Sequence, residues 1–135
     1  MKFIGANIIL RYLTKDDPQK GQKCFELFQK IKNNEIEVTT CEAVITEIVD
    51  VLSSKKLYNL PRSEIYLLLL PILNLRGFKI PQKNLFIQAL DMYASKNIDF
   101  EDALIFAHMK KRKIGQVFSY DNDFDSIEEI KRIEP

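Results

Sequence analysis

The sequence predicts an α/β fold: a central, mostly parallel sheet flanked by helices, formed as one domain over residues 1–135. Three observations predict it. Short runs of strand-forming residues alternate with longer segments of helical periodicity. Turn and cap residues punctuate every junction, and no linker, repeat or low-complexity stretch interrupts them. A chain of 135 residues, 46% hydrophobic and 29% charged, suits one core and an ordered globule.

Taken in order, Lys2–Ile4 reads as a short first strand. Gly5, Ala6 and Asn7 turn the chain into a short helix carrying Ile8, Ile9, Tyr12 and Leu13. Asp17 can cap the next helix and Pro18 can occupy its first position. That helix, Pro18–Lys32, buries Cys24, Leu27, Phe28 and Ile31 on one face. Asn33 and Asn34 end it, and Ile36–Val38 is strand-like. Thr39 and Glu42 have capping-box spacing, and the helix they open carries Val44, Ile45, Ile48, Val51 and Leu52.

A helix from about Pro61 holds the apolar run Ile65–Leu75, which Pro71 kinks or shortens. Gly77 ends it, and Phe78–Ile80 is strand-like. Helix Gln82–Ser95 follows, with Leu85, Phe86, Ala89, Met92 and Tyr93 directed to the core. The next helix opens on Asp99, Glu101 and Asp102 and stops at the basic run Lys110–Lys113. A strand at Gln116–Tyr120, an acidic turn at Asp121–Asp123 and a last strand near Ile130–Ile133 complete the chain.

Composition narrows the function. A formal net charge of +1 demands neither nucleic acid nor membrane, so any nucleic-acid contact comes from a local patch. Two cysteines without CxxC spacing point to a reducing, cytoplasmic setting. The longest apolar run is far short of the ~20 residues a membrane helix needs. With one histidine and no cysteine cluster, zinc does not fit. There is also no glycine-rich phosphate loop and no GxSxG motif.

The carboxylates carry the remaining signal. At ~100° per residue, Glu47 lies at the edge of the stripe formed by Val44, Ile48 and Val51. It is either a rim glutamate reaching water or a ligand, because a carboxylate beside a buried stripe needs a partner. Asp102 shares a face with Ile105, Phe106 and Met109. Helix-start electrostatics account for acids there, but not for one aligned with the apolar stripe. Asp121 and Asp123 read either as a turn bonding its own backbone or as strand-end ligands. In α/β folds, strand C-termini and helix N-termini share the edge where ligands bind. Oxygen-only donors there select magnesium or manganese. His108 falls off the Asp102 face and reads as solvated. Lys110, Lys111, Arg112 and Lys113 either complement the helix dipole or contact phosphate beside the acidic site.

Four segments in order, FIGANIILRYLTKDDP, VITEIVDVL, YASKNIDFEDALIFAHMKKRK and VFSYDNDF, resemble the PIN domain family and, within it, the VapC-like toxins of toxin–antitoxin pairs. The resemblance spans nearly the whole chain. It implies a three-layer sandwich and a Mg2+- or Mn2+-dependent endoribonuclease. It also implies a small antitoxin partner, an RNA substrate and a homodimer.

Carried over by position, the metal-holding acids are Glu47, Asp102 and Asp121, with Asp123 as an auxiliary and Asn7 and Ser119 as polar neighbours. The family's opening pattern, F-I-D-x-N, places an aspartate where this chain has Gly5. Glycine offers no ligand oxygen, so metal binding and cleavage are expected to be weak. A non-catalytic PIN-like scaffold that binds RNA or protein is the alternative. A phosphoacceptor regulator using Asp121 lacks the acidic pair expected at the end of the first strand.

Overall fold

The chain breaks its periodicity before the helix at residue 83, where Gln82 adopts a left-handed φ of 61°. In the computed structural model, which describes residues 1–135, two compact units meet in sequence there, Met1–Lys83 and Asn84–Pro135.

In the first unit, β1 (Lys2–Phe3) leads into α1 (Ala6–Thr14) and α2 (Pro18–Lys32). The α1–α2 junction follows local chemistry. Lys15 takes the left-handed φ of 57° that ends α1, and the Asp17 carboxylate caps α2 by accepting from the Lys20 N–H at 3.1 Å. Tyr12 stacks on Phe28 with ring centroids 4.2 Å apart, locking the two helices side by side.

β2 (Val38–Thr39) then pairs parallel with β1, Lys2 opposite Val38 and Phe3 opposite Thr39. On its other side Val38 bridges Phe78, which continues the sheet by one parallel bridge where the sequence predicts a full strand. α3 (Glu42–Ser53) and α4 (Arg62–Leu73) complete the unit. Ile9, Phe28, Ile31, Ile45, Ile48, Leu52, Ile65 and Leu69 are fully buried.

Two local expectations are corrected. α3 starts three residues after Thr39, with Cys41 at its cap position and no side-chain cap, so the capping box does not form. The register is set by β2, which extends through Thr39, and by the buried Thr40 hydroxyl, which donates to the Ile4 carbonyl at 2.9 Å. Secondly, α4 stops at Leu73, two residues beyond Pro71, and Asn74 rather than Gly77 follows it. Gly77 serves close approach instead. A Cβ there would lie 2.3 Å from the Ile36 carbonyl oxygen and 2.6 Å from that of Ile31.

In the second unit, α5 (Lys83–Ser95) buries Leu85, Phe86, Ala89, Leu90, Met92 and Tyr93. α6 (Phe100–Lys111) buries Phe100, Ala103, Leu104, Phe106, Ala107 and Met109. Phe100 meets Tyr93 edge-on at 6.1 Å. β3 (Gln116–Phe118) pairs parallel with β4 (Lys131–Ile133), Val117 opposite Arg132. A 3-10 helix, Asn122–Ser126, connects them and buries Phe124. The architecture is thus α/β with short parallel strands and six α-helices, and no helix is long and apolar enough to cross a membrane. Both cysteines are free thiols, Cys24 buried and Cys41 exposed.

Candidate metal centre

Two local structures of the second unit build the site. The first is the start of α6. Asp99 occupies its cap position with φ −57° and ψ 145°, and its carbonyl accepts the first helical bond, from the Ala103 N–H at 2.9 Å. Asp102, three residues on, lies one turn above it on the same side. The buried face of α6 runs through Ala103, Phe106 and Ala107, and Ile105 is 42% exposed. Asp102 therefore borders the buried face and is half-buried. The stripe drawn through Ile105 is corrected accordingly.

The second is the turn after β3. The Asp121 N–H donates to Ser119 Oγ at 2.9 Å, and Asp121 Oδ1 accepts from the Asp123 N–H at 2.9 Å. These bonds start the 3-10 helix and set the direction of Asp123. The result is a group of three carboxylates, Asp99, Asp102 and Asp123, each offering an oxygen within 4.8 Å of the others.

The electrostatics follow from the crowding. The Asp102 carboxyl is pushed above its ordinary range, first by burial and then by the charges of Asp121, Asp123, Asp99 and Glu101. Asp123 is pushed up as well, first by the Asp121 charge and then by desolvation and Asp99. Like charges held this close resist ionisation unless a cation compensates them. Three carboxylates with no nitrogen or sulfur donor among them fit a hard divalent ion.

Of the residues singled out from sequence, Asp102 and Asp123 come together in this group. Asp121 lies close enough to raise both, while one of its oxygens serves the turn. Asp99 belongs to the acidic cluster that opens α6 in the sequence but is not among the ligands carried over by position. The signal for it was its three-residue spacing from Asp102, which puts both acids on one side of the first turn. Ser119 is half-buried and holds Asp121.

The remaining candidates belong to the first unit or to the far end of α6. Glu47 is an exposed residue of α3, beside the buried Ile48. Gly5 is the cap residue of α1, and Asn7 is exposed in the first turn of that helix. Lys110, Lys111, Arg112 and Lys113 are all exposed. They stand at the opposite end of α6 from Asp102, roughly 12 Å along the axis, so the expectation that they adjoin the acids is corrected. His108 is half-buried, not solvated.

The family model for the PIN domain matches residues 2–130. The chain belongs to the PIN domain family. The match crosses both units and includes every acid named above. Among proteins similar to this PIN domain is a VapC ribonuclease of Aquifex aeolicus (strain VF5). The two are 25% identical over 127 residues, which cover 94% of this chain and 92% of that protein.

Proposed function

We propose that this PIN domain is a Mg2+- or Mn2+-dependent endoribonuclease of the VapC type, the toxin of a toxin–antitoxin pair, weakened at Gly5. The observation that carries the reading is the convergence of Asp99, Asp102 and Asp123 within 4.8 Å. Family membership and the similarity to a VapC ribonuclease support it.

In this reading Asp99, Asp102 and Asp123 hold the ion, and Asp121 adds negative charge while fixing the turn. Glu47 enters through the resemblance as a further ligand. A divalent ion supplies Lewis-acid stabilisation of the charge that builds on phosphate oxygens during hydrolysis. The carboxylates do not attack the phosphate; they set the ion's position and exclude other ligands from it. Lys110–Lys113, a helix length away, bind a phosphate next along the RNA rather than the scissile one.

Gly5 stands where the family carries an aspartate, and the backbone gives no reason for glycine there. Its φ of −92° and ψ of 167° are open to any residue, and an added Cβ meets only Asn7 Oδ1 at 3.6 Å. Gly5→Asp is therefore expected to fold, with α1 capped a few tenths of a kcal/mol better. The test is cleavage of total RNA with Mn2+ by the natural chain and by Gly5→Asp. The expected result is a rise in rate with the aspartate. Equal rates refute the role given to position 5.

The scaffold reading, in which the domain binds RNA or a protein without cutting, is favoured by Gly5 and predicts that Gly5→Asp stays inert. For partners, a groove of about 300 Å3 between α1 and α4, lined by Tyr12, Leu13, Leu68, Pro71 and Leu75, supports an apolar contact to an antitoxin or a second copy.

A further inference from the structure

Arg132 lies on β4 and belongs to none of the motifs that led to the site. Its side chain is 15% exposed although it carries a charge. Four of its five N–H donors are committed. Nε and Nη2 grip the two oxygens of Asp125 at 2.9 and 3.3 Å, and Nη1 donates to Glu134 at 2.8 Å and to the Ser119 carbonyl at 3.1 Å. With its fork filled by two carboxylates, Arg132 is not available to a phosphate.

What it holds is the turn that carries the acids. Ser119 and Asp125 flank Asp121–Asp123 on either side. Arg132 fixes the Ser119 backbone, Ser119 Oγ accepts from the Asp121 N–H, and Asp121 Oδ1 accepts from the Asp123 N–H. A second tie runs through Asp125, inside the same 3-10 helix as Asp123, whose carbonyl accepts from Ser126 Oγ at 2.8 Å.

We infer that Arg132 is a positioning residue of the metal centre, clamping the Ser119–Asp125 turn so that the Asp123 carboxylate faces Asp99 and Asp102. The inference rests on the metal-binding reading above. Residues that orient ligands typically change metal affinity 10–100-fold when removed.

The experiment measures Mn2+ affinity by calorimetry, and amide hydrogen exchange without metal, on the full chain. Arg132→Lys keeps the charge but cannot fork across Asp125 and reach Ser119 together. Asp125→Asn keeps the shape and weakens the grip from the exposed side, which covers the case in which the arginine variant fails to fold. Asp17→Ala, which uncaps α2, controls for a general loss of stability.

The expected result is a Kd for Mn2+ raised about tenfold or more in Arg132→Lys and Asp125→Asn but not in Asp17→Ala, with faster exchange at the Asp121 and Asp123 amides. Unchanged affinity in both turn variants overturns the inference, as does equal weakening in Asp17→Ala. If neither the natural chain nor Gly5→Asp binds Mn2+, the metal reading fails. The exchange arm then still decides whether Arg132 holds the turn: unchanged exchange refutes the clamp.

Discussion

Replacing Asp102 by asparagine removes one negative charge from a crowded group and leaves its shape. Two carboxylates 4.8 Å apart, the outer bound for this group, repel by about 1 kcal/mol in a water-like dielectric. Physiological salt roughly halves that for exposed groups. Asp99 and Asp123 together thus cost Asp102 about 1 kcal/mol. Against this stands the helix start, where a negative charge gains about 0.5 kcal/mol. Desolvation, the largest cause of the upward shift at Asp102, acts in the same direction as the repulsion. The charges of Asp99 and Asp123 alone thus favour Asp102→Asn in the metal-free protein by about 0.5 kcal/mol, or roughly 2 °C in Tm, with desolvation and the Asp121 charge adding on the same side.

The pH dependence has a definite sign. The folded-state pKa of Asp102 is raised, so below the ordinary carboxylate range both forms are protonated and the variants agree. The difference grows as pH climbs through the raised value and is complete at neutral pH. Mn2+ should reverse the order, because an ion at 100 times its Kd stabilises by about 2.7 kcal/mol and Asp102→Asn loses a ligand. Calorimetric melts with a chelator and in a Mn2+ titration up to millimolar concentrations check both halves. A lower Tm for Asp102→Asn in chelator would show that the carboxylate serves the helix start. An equal response of both proteins to Mn2+ would remove Asp102 from the metal centre.

Three further outcomes are expected. Asp17→Ala should lower Tm at neutral pH by removing the α2 cap. The Asp17 pKa is lowered, chiefly by its bond from the Lys20 N–H, so the difference should vanish as pH falls through that lowered value, and melts at pH 7 and pH 2 would show it. Gly77→Ala should destabilise by about 1–3 kcal/mol or more, because its Cβ meets two backbone carbonyl oxygens that cannot step aside; a denaturant midpoint equal to that of the natural chain would refute the close packing. Replacing Lys110, Lys111, Arg112 and Lys113 together by alanine should reduce the salt slope of RNA binding by up to about 3. An unchanged slope would leave the run as a solvated helix end.

The helices were legible because their signals are local. Asp17 and Pro18 fix the start of α2 wherever the rest of the chain goes, and the observed span matches the expected one. The strands were legible as positions but not as lengths. β1 and β2 hold two residues each, since a strand ends where its partner ends. Thr39 shows the limit of motif reading. Its spacing to Glu42 is that of a capping box, yet pairing with Phe3 placed it in the sheet. Ile105 is exposed and His108 half-buried, against expectation, because the buried face of α6 is set by what packs on it, not by its own periodicity.

By itself the sequence determined where backbone conformations must change, which acids have a local reason to stand at a helix start or a turn, and that position 5 carries no carboxylate. Those facts depend on neighbours within a few residues. Only tertiary structure decided that Asp99 joins Asp102 and Asp123, and that Arg132 secures the turn between β3 and β4. Those depend on the parallel pairing of β3 with β4, a contact between residues far apart in the chain, which no short-range pattern encodes.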